Sequence, residues 1–374
     1  MNGNGYTEFN PDKPSQKKNI IIIVIALLLE AALFAGAFFL ISKYYDDKIT
    51  PSSIRKVIPL HKWQFFKNLT EISPDIDSID FSHILENTIE VNVPHTWNGY
   101  DGQDGGNNYS KIPCSYQTYF DYDITDKKRI YIEFCGSNLK TTVYVNGKKA
   151  GYHVGGFAKF RFDLSEYLTS PHNLITVVAD NSNNLEYYPY TADFTFFGGI
   201  YRDVNLIETN SISFKMDDFG SKSLYIKPNA ITGEVEVNTS ITKEIDNEKA
   251  KVKYTIFSGD GAVLTEIDST IESGKSTSSI NYKVENHRLW NGRKDPYLYR
   301  LQADLFIDDE IFDSIESYFG FRTVMVNMSG FYLNGEKYQL RGVSRHQDRP
   351  NKGWAVSNEE ETEDFDLIYE MGAN

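Results

Sequence analysis

Cysteine, tryptophan and positive charge are all scarce in this chain. Two cysteines in 374 residues cannot build a disulfide framework. Cys114 and Cys135 also lack the close spacing of a zinc or redox motif, so two separately buried thiols are expected. Lys and Arg number 38 against 52 Asp and Glu, a net charge of -14. That balance excludes a basic stripe tracking phosphates, and with it nucleic acid as a partner, while neutral or cationic ligands remain open. The common catalytic signatures are missing: no Gly-Lys-Ser/Thr phosphate loop, no His-Glu-x-x-His, no Gly-x-Ser-x-Gly. The 7 histidines, from His61 to His346, show no metal-ligand spacing. No long 3.6-residue apolar period occurs between Trp63 and Thr323, which excludes a helical bundle there.

What is present points to sheets. The 25 Tyr and 24 Phe, together with abundant Thr, Val and Ile, favour pleated, half-buried surfaces. At roughly 150 residues per domain the length predicts two or three domains. Arg129 to Cys135, Thr142 to Val145, Leu174 to Val178 and Asp203 to Ile207 read as strands of a first sandwich. Asn146-Gly147 supplies the positive φ angles of a type I′ hairpin turn. A second set follows: Leu224 to Ile226, Gly233 to Val237, Lys253 to Phe257 before Gly259-Asp260-Gly261, and Tyr299 to Phe306 before Asp308-Asp309. About seven such strands in roughly 110 residues suggest an immunoglobulin-like sandwich.

The amino-terminal segment has a different character. Ile20 to Ile41 is apolar except for Glu30, and at about 1.5 Å per residue it can cross a hydrocarbon core of roughly 30 Å. Phe38 to Tyr45 offers no small-residue cleavage site, so residues 20–42 are expected to be an uncleaved transmembrane signal anchor after a short tail at 1–19. The Lys17-Lys18 pair and the shortness of that tail place the amino terminus inside and the bulk of the chain outside the cell. A polar stalk is expected over 43–60.

Beyond Thr323 the pattern changes again. Gly330 to Leu340 reads as a hairpin around Asn334-Gly335, and Leu340 to Val343 as a strand entering the polar loop Arg341 to Trp354. A helix follows, with Ser357 and Glu360 as a capping box, Phe365, Ile368 and Tyr369 on one face and Gly372 as its stop. This is one βα unit. A parallel strand needs a neighbour reached by such a crossover, and none follows.

Three stretches hold chemistry-bearing side chains. Pro94 to Asn98, with Asp101 to Tyr109, is a Gly-rich polar loop beside Trp97, and aromatic rings with amides or carboxylates are what a sugar ring requires. Ala192 to Val204 places Asp193 before aromatics and a Gly pair. Arg341 to Trp354 concentrates arginine, His346, Asp348 and Trp354 just past a strand end, where parallel α/β folds put their sites. An ordinary connection or a solvated loop explains each stretch equally well by composition alone.

Taken in order, Val93 to Asn98, Val143 to Gly147, Gly155 to Phe157, Phe197 to Val204, Phe319 to Thr323 and Leu340 to Asp348 resemble successive blocks of the family 2 glycoside hydrolases, the β-galactosidases, β-glucuronidases and β-mannosidases. The resemblance runs from about His61 to Asn374. It implies a mostly β chain: a jelly-roll sugar-binding domain (61–208), an immunoglobulin-like sandwich (209–323) and the first βα unit of a truncated (β/α)8 barrel (324–374). By the same resemblance Asp193 holds the sugar and a sodium ion, His346 lines the sugar pocket, and Asp104 and Asn107 lie on a loop approaching the substrate. A sodium or magnesium ion is implied for the complete enzyme and no cofactor for this chain.

Family members are retaining enzymes with two glutamates roughly 5 to 5.5 Å apart, and both belong to later barrel strands, beyond this chain. Glu359, Glu360 and Glu361 sit at a helix start and serve its dipole instead. The expectation is the membrane-anchored amino-terminal portion of a β-galactosidase-like enzyme, inactive alone, with a carbohydrate as its ligand and a separately encoded barrel half as a partner if the gene is split. A non-catalytic extracellular carbohydrate-binding protein, or an adhesion protein, are the alternatives.

Overall fold

The computed structural model describes residues 54–101, 109–123, 125, 127–169, 171–182, 187, 194–218, 220–245 and 249–374. The expected anchor at Ile20 to Ile41 lies outside them. Among the described residues no helix is long and apolar enough to cross a membrane.

The first sandwich has ten strands: β1 (Lys56–Pro59), β2 (Lys62–Phe66), β3 (Ile89–Asn92), β4 (Pro113–Asp121), β5 (Lys128–Phe134), β6 (Lys140–Val145), β7 (Lys148–Val154), β8 (Phe160–Asp163), β9 (His172–Asp180) and β10 (Val204–Asn210). They form a six-stranded sheet, β3-β2-β4-β9-β6-β7, and a four-stranded sheet, β1-β10-β5-β8. Alternate residues of both sheets meet in one core. Trp63, Tyr116, Val143 and Val177 come from one side, Ile130, Ile132, Phe134 and Leu206 from the other. Asn146 and Gly147 take φ of 49° and 78° and close the β6–β7 hairpin as their residue types require.

Strand β1 corrects the stalk. Its four residues end the stretch read as a polar tether, yet they pair with β10 from Lys56↔Glu208 to Pro59↔Asn205. The alternation explains it, because Ile58 packs against the core while Val57 faces out.

The outer face of the six-stranded sheet is covered as well. Leu69, Phe81 and Leu85, from the connection between β2 and β3, pack on Tyr144 and Val178. Gln117 is the polar tie beneath them: its Oε1 accepts from Leu85 N at 2.8 Å, and its Nε2 donates to His83 O and Thr176 Oγ1 at 3.0 and 2.9 Å. This two-sided cover is why β9 is buried at nearly every position instead of alternating.

The second sandwich matches its sequence reading closely. Seven strands, β11 (Leu224–Pro228), β12 (Glu234–Ile245), β13 (Lys251–Phe257), β14 (Val263–Thr270), β15 (Lys275–Lys283), β16 (Tyr299–Ile307) and β17 (Glu310–Phe319), make sheets β11-β12-β15 and β14-β13-β16-β17. Val235, Val237, Tyr254, Leu301 and Leu305 fill the space between them. Arg55, just ahead of β1, reaches this sandwich: its Nε and Nη2 donate to the two carboxylate oxygens of buried Asp313 at 2.8 and 2.6 Å. Asp313 also accepts from Phe214 N at 2.8 Å. Two sandwiches of antiparallel sheets are therefore joined by a buried ion pair with its remaining lone pairs satisfied.

A three-stranded meander follows, β18 (Val324–Asn327), β19 (Gly330–Leu333) and β20 (Glu336–Lys337), turning at Asn334-Gly335 with φ of 52° and 83°. Asn334 ties it to the second sandwich by donating to Trp290 O at 3.0 Å. Helix α1 (Asn358–Glu370) starts on the expected capping box, with Ser357 N donating to Glu360 Oε2 at 2.8 Å and Glu360 N to Ser357 Oγ at 3.3 Å. It stops at Gly372, φ 87°.

The strand expected at Leu340 to Val343 is absent. Leu340 and Val343 are 60% and 45% exposed, and no described strand lies beside them. Arg341 takes its backbone bonds from Asn374 instead, N to Oδ1 at 2.8 Å and O from Asn374 N at 3.0 Å. The cysteines are both free, Cys114 buried and Cys135 only half-buried, so the expectation of two buried thiols holds for the first alone.

Candidate functional site

The loops at one end of the first sandwich grip the loop that precedes α1. Trp354 is the centre of the grip. It is 5% exposed, with Phe157 and Tyr201 rings at 5.3 Å, Phe197 at 5.7 Å and Phe196 at 6.3 Å from its own. Edge-on and tilted pairs of this kind add stabilisation beyond the area they bury. Gly353 must be glycine on two counts: its φ is +55°, and a Cβ there would stand 2.4 Å from the Phe197 ring.

Around this plug the backbone is tied at several points. Thr96 Oγ1 donates to Lys352 O at 2.6 Å, and Arg202 Nη2 to Gln347 Oε1 at 3.1 Å. Tyr201 OH donates to Gly156 O at 2.5 Å. Buried Asn138 Nδ2 donates to Phe197 O at 2.8 Å, while a Cβ at Gly156 would meet Asn138 Oδ1 at 2.2 Å. The Gly155-Gly156-Phe157 block thus exists to let this loop pass close under Asn138 and lay Phe157 on Trp354.

Pro94 to Asn98 is part of the frame, as the reading of this stretch as a connection between strands has it. Asn98 is fully buried, its Oδ1 accepting from Gly198 N at 2.9 Å and its Nδ2 donating to Ser110 O at 3.1 Å. Trp97 stacks toward Phe65 and donates Nε1 to Ser110 O at 3.3 Å. A Cβ on Gly198 would collide with its ring at 2.1 Å. His95 shares a 2.8 Å hydrogen bond with the buried Tyr116 hydroxyl. Burial holds the imidazole far below its ordinary range, at about 4, so it is neutral at physiological pH.

His346 stands at the open side of this frame. It is exposed, and its ring lies 5.8 Å from that of Phe194 at 79°, with Phe194 in turn against Phe196 at 4.9 Å. Asp193, Asp104 and Asn107 fall outside the described residues. Among the described residues no group of three or more His, Cys, Asp or Glu could hold a metal ion. The aromatic run Phe194 to Tyr201, followed by Arg202, is the sequence signal for this wall, while Asn138 carries none.

The loop is also pinned to α1 by charge. Arg345 and Arg349 both bond Asp364 at 2.6 Å, and Lys352 bonds Glu360 at 2.6 Å. Glu360 is drawn below the usual carboxylate range by Lys352 and by the Ser357 amide. It is a structural anion at a helix start, as read from the sequence.

Two antiparallel sandwiches, a three-stranded meander and a helix, with the loop before the helix fastened by an aromatic plug, make up the described fold. Family models agree along the chain: "Glycosyl hydrolases family 2, sugar binding domain" over 107–210, "Glycosyl hydrolases family 2" over 222–322, and "Glycosyl hydrolases family 2, TIM barrel domain" over 324–374. The chain belongs to glycosyl hydrolase family 2. It is 32% identical over 312 residues to a putative β-glucuronidase of Formosa agariphila, covering 82% of this chain and 37% of that one. It is 30% identical to a β-glucuronidase of Bacteroides fragilis, covering 79% and 44%. The solved structure of a putative β-galactosidase from Bacteroides fragilis superposes with a TM-score of 0.78 at 30% identity, covering 86% of this chain and 49% of that one. The chain therefore spans less than half the length of these relatives.

Proposed function

We propose that this chain is the substrate-positioning amino-terminal part of a membrane-anchored glycoside hydrolase acting on terminal β-glycosidic, in the first place β-galactosidic, bonds outside the cell. The observation that carries the reading is the Trp354 plug. Loops of the first sandwich fix the segment bearing His346 from one side while α1 fixes it by ion pairs from the other, which is the preorganisation a sugar pocket needs. In this reading His346 and Phe194 form one wall, and Asp193, Asp104 and Asn107 join it on the strength of the family motifs. The bond cleavage itself needs an acid and a nucleophile about 5 to 5.5 Å apart, and the described glutamates near the site serve the helix start.

The second reading is a non-catalytic carbohydrate-binding sandwich. Such a protein could use the outer face of the six-stranded sheet, which Leu69, Phe81 and Leu85 cover in part while Tyr119 and Tyr152 stay exposed.

Two experiments test the proposal. Purified residues 44–374 are expected to bind aryl β-galactoside weakly and to release no aglycone from β-galactoside, β-glucuronide or β-mannoside. Turnover abolished by a substitution within this chain would show that the chemistry resides here. For the anchor, alkaline carbonate extraction of membranes carrying the full chain should leave it in the pellet, and release into the supernatant would refute the span at Ile20 to Ile41.

A further inference from the structure

An open cleft of about 640 Å³ lies at the carboxyl end of α1, lined by Arg293 and Lys294 from the turn before β16, Lys337 of β20 and Arg341, together with Tyr338 and Tyr369. Four cations from three segments therefore meet in a chain whose net charge is -14. The acidic residues closest in sequence are turned elsewhere: Asp295 is held by Arg288 at 2.7 Å, Glu336 alternates with Lys337 onto the opposite face of its strand, and Glu370 lines a separate cleft with Glu363 and Asp366. Among the described residues no carboxylate pairs with any of the four cations. The Arg341 guanidinium donates only to Gln339 Oε1, at 3.4 Å, and Lys294 and Lys337 have no polar partner there. The frame is fixed, since Asn374 bonds the Arg341 backbone and the Gln339 carbonyl, and the Tyr338 hydroxyl lies where a Cβ on Gly292 would stand 2.7 Å away.

We propose that this cleft is an anion site that binds a phosphate group, either inorganic phosphate or the phosphate monoester of a small molecule such as a sugar. The site is independent of the glycosidase reading. A helix carboxyl end would by itself repel an anion. Arg293 removes that obstacle: its Nη1 donates to the carbonyls of Tyr369 and Ala373, both at 2.8 Å, while its guanidinium lies 3.4 Å over the Tyr369 ring. The Nε and Nη2 edge has no partner among the described residues, and that edge of a guanidinium donates two parallel bonds to an oxyanion. Lys294, Lys337 and Arg341 add the charge that a divalent phosphate answers and a monovalent carboxylate answers only in part.

The experiment is a ³¹P NMR titration of inorganic phosphate and of galactose 6-phosphate with the full chain in a nonionic detergent at low salt and slightly alkaline pH. Both probes should bind with a Kd of about 1 mM or below, and binding should weaken several-fold as salt is raised. Tighter binding of the ester assigns the site to a phosphorylated sugar, and equal binding assigns it to the free ion; either supports the phosphate site. Lys294→Ala combined with Lys337→Ala should weaken binding about tenfold. Neither lysine has a polar partner among the described residues, so folding should be unchanged, which circular dichroism verifies. Lys148→Ala combined with Lys275→Ala, an equally exposed pair elsewhere on the surface, should leave binding as it was. Absence of binding at about 10 mM phosphate, the same loss from both lysine pairs, no loss from the Lys294 and Lys337 pair, or acetate competing as well as phosphate, overturns the inference.

Discussion

His95 was visible as one member of a Pro-His-Thr-Trp motif, but its environment turns it into a pH-dependent structural group. Its folded-state pKa is about 4 against an ordinary 6.5. On acidification the unfolded chain takes up the proton first, so native stability is complete above about pH 6.5 and is lost progressively as the pH falls to about 4, by on the order of 3 kcal/mol. Urea unfolding followed across that range should show this loss, and His95→Asn should start from a lower stability and show a flatter slope. A wild-type profile that is flat between these limits would mean that the imidazole is solvated after all. The same residue shows where sequence reading stops: a histidine beside a tryptophan can face a ligand or a core, and only the Tyr116 hydroxyl and the Phe65 ring place this one inside.

Local rules fared well for individual elements because their causes are local. Asn146-Gly147 and Asn334-Gly335 turn where two positive φ angles are needed, and the Ser357 capping box is satisfied within four residues. Leu340 to Val343 failed as a strand for the opposite reason, since a parallel strand is defined by a neighbour. Helix α1 inherits the consequence. It buries no residue, Phe365, Leu367 and Tyr369 remain exposed, and it is held by Arg345, Arg349 and Lys352 near its start and by Arg293 over the Tyr369 ring at its end. Ionic contacts at a surface are weak and screened by salt. Amide exchange over 357–374 should therefore be much faster than over 129–206, and faster still at high salt; equal protection would mean that apolar packing holds the helix.

At the scale of the whole molecule, Arg55 and Asp313 join segments 258 residues apart. The aspartate is buried at 1% side-chain exposure and the arginine largely buried at 13%, so removing one strands the other's charge. Asp313→Ala should cost about 3–5 kcal/mol in chemical denaturation, whereas replacing both by apolar residues of similar volume should recover most of it. A loss below about 1 kcal/mol would place the pair with ordinary surface ion pairs. Nothing in the sequence distinguished Arg55 from other basic residues of the expected stalk, because the partner is defined only by how two sandwiches meet.

The sequence by itself determined the mostly β character, four of the seven strands of the second sandwich, the hairpin turns and the cap of the final helix, and, through six ordered motifs, membership of the glycosyl hydrolase family. These depend on side-chain alternation, on φ preferences and on short-range hydrogen bonds, all of which are written within a few residues. The tertiary structure alone decided that Pro94 to Asn98 packs into the frame around Gly198 and Ser110, that β1 belongs to the sandwich, and that Trp354 is the plug on which the His346 loop hangs. Those outcomes depend on which surfaces meet after folding. A buried amide such as Asn98 and a solvent-facing one have the same sequence, and differ only in whether Gly198 and Ser110 arrive to satisfy it.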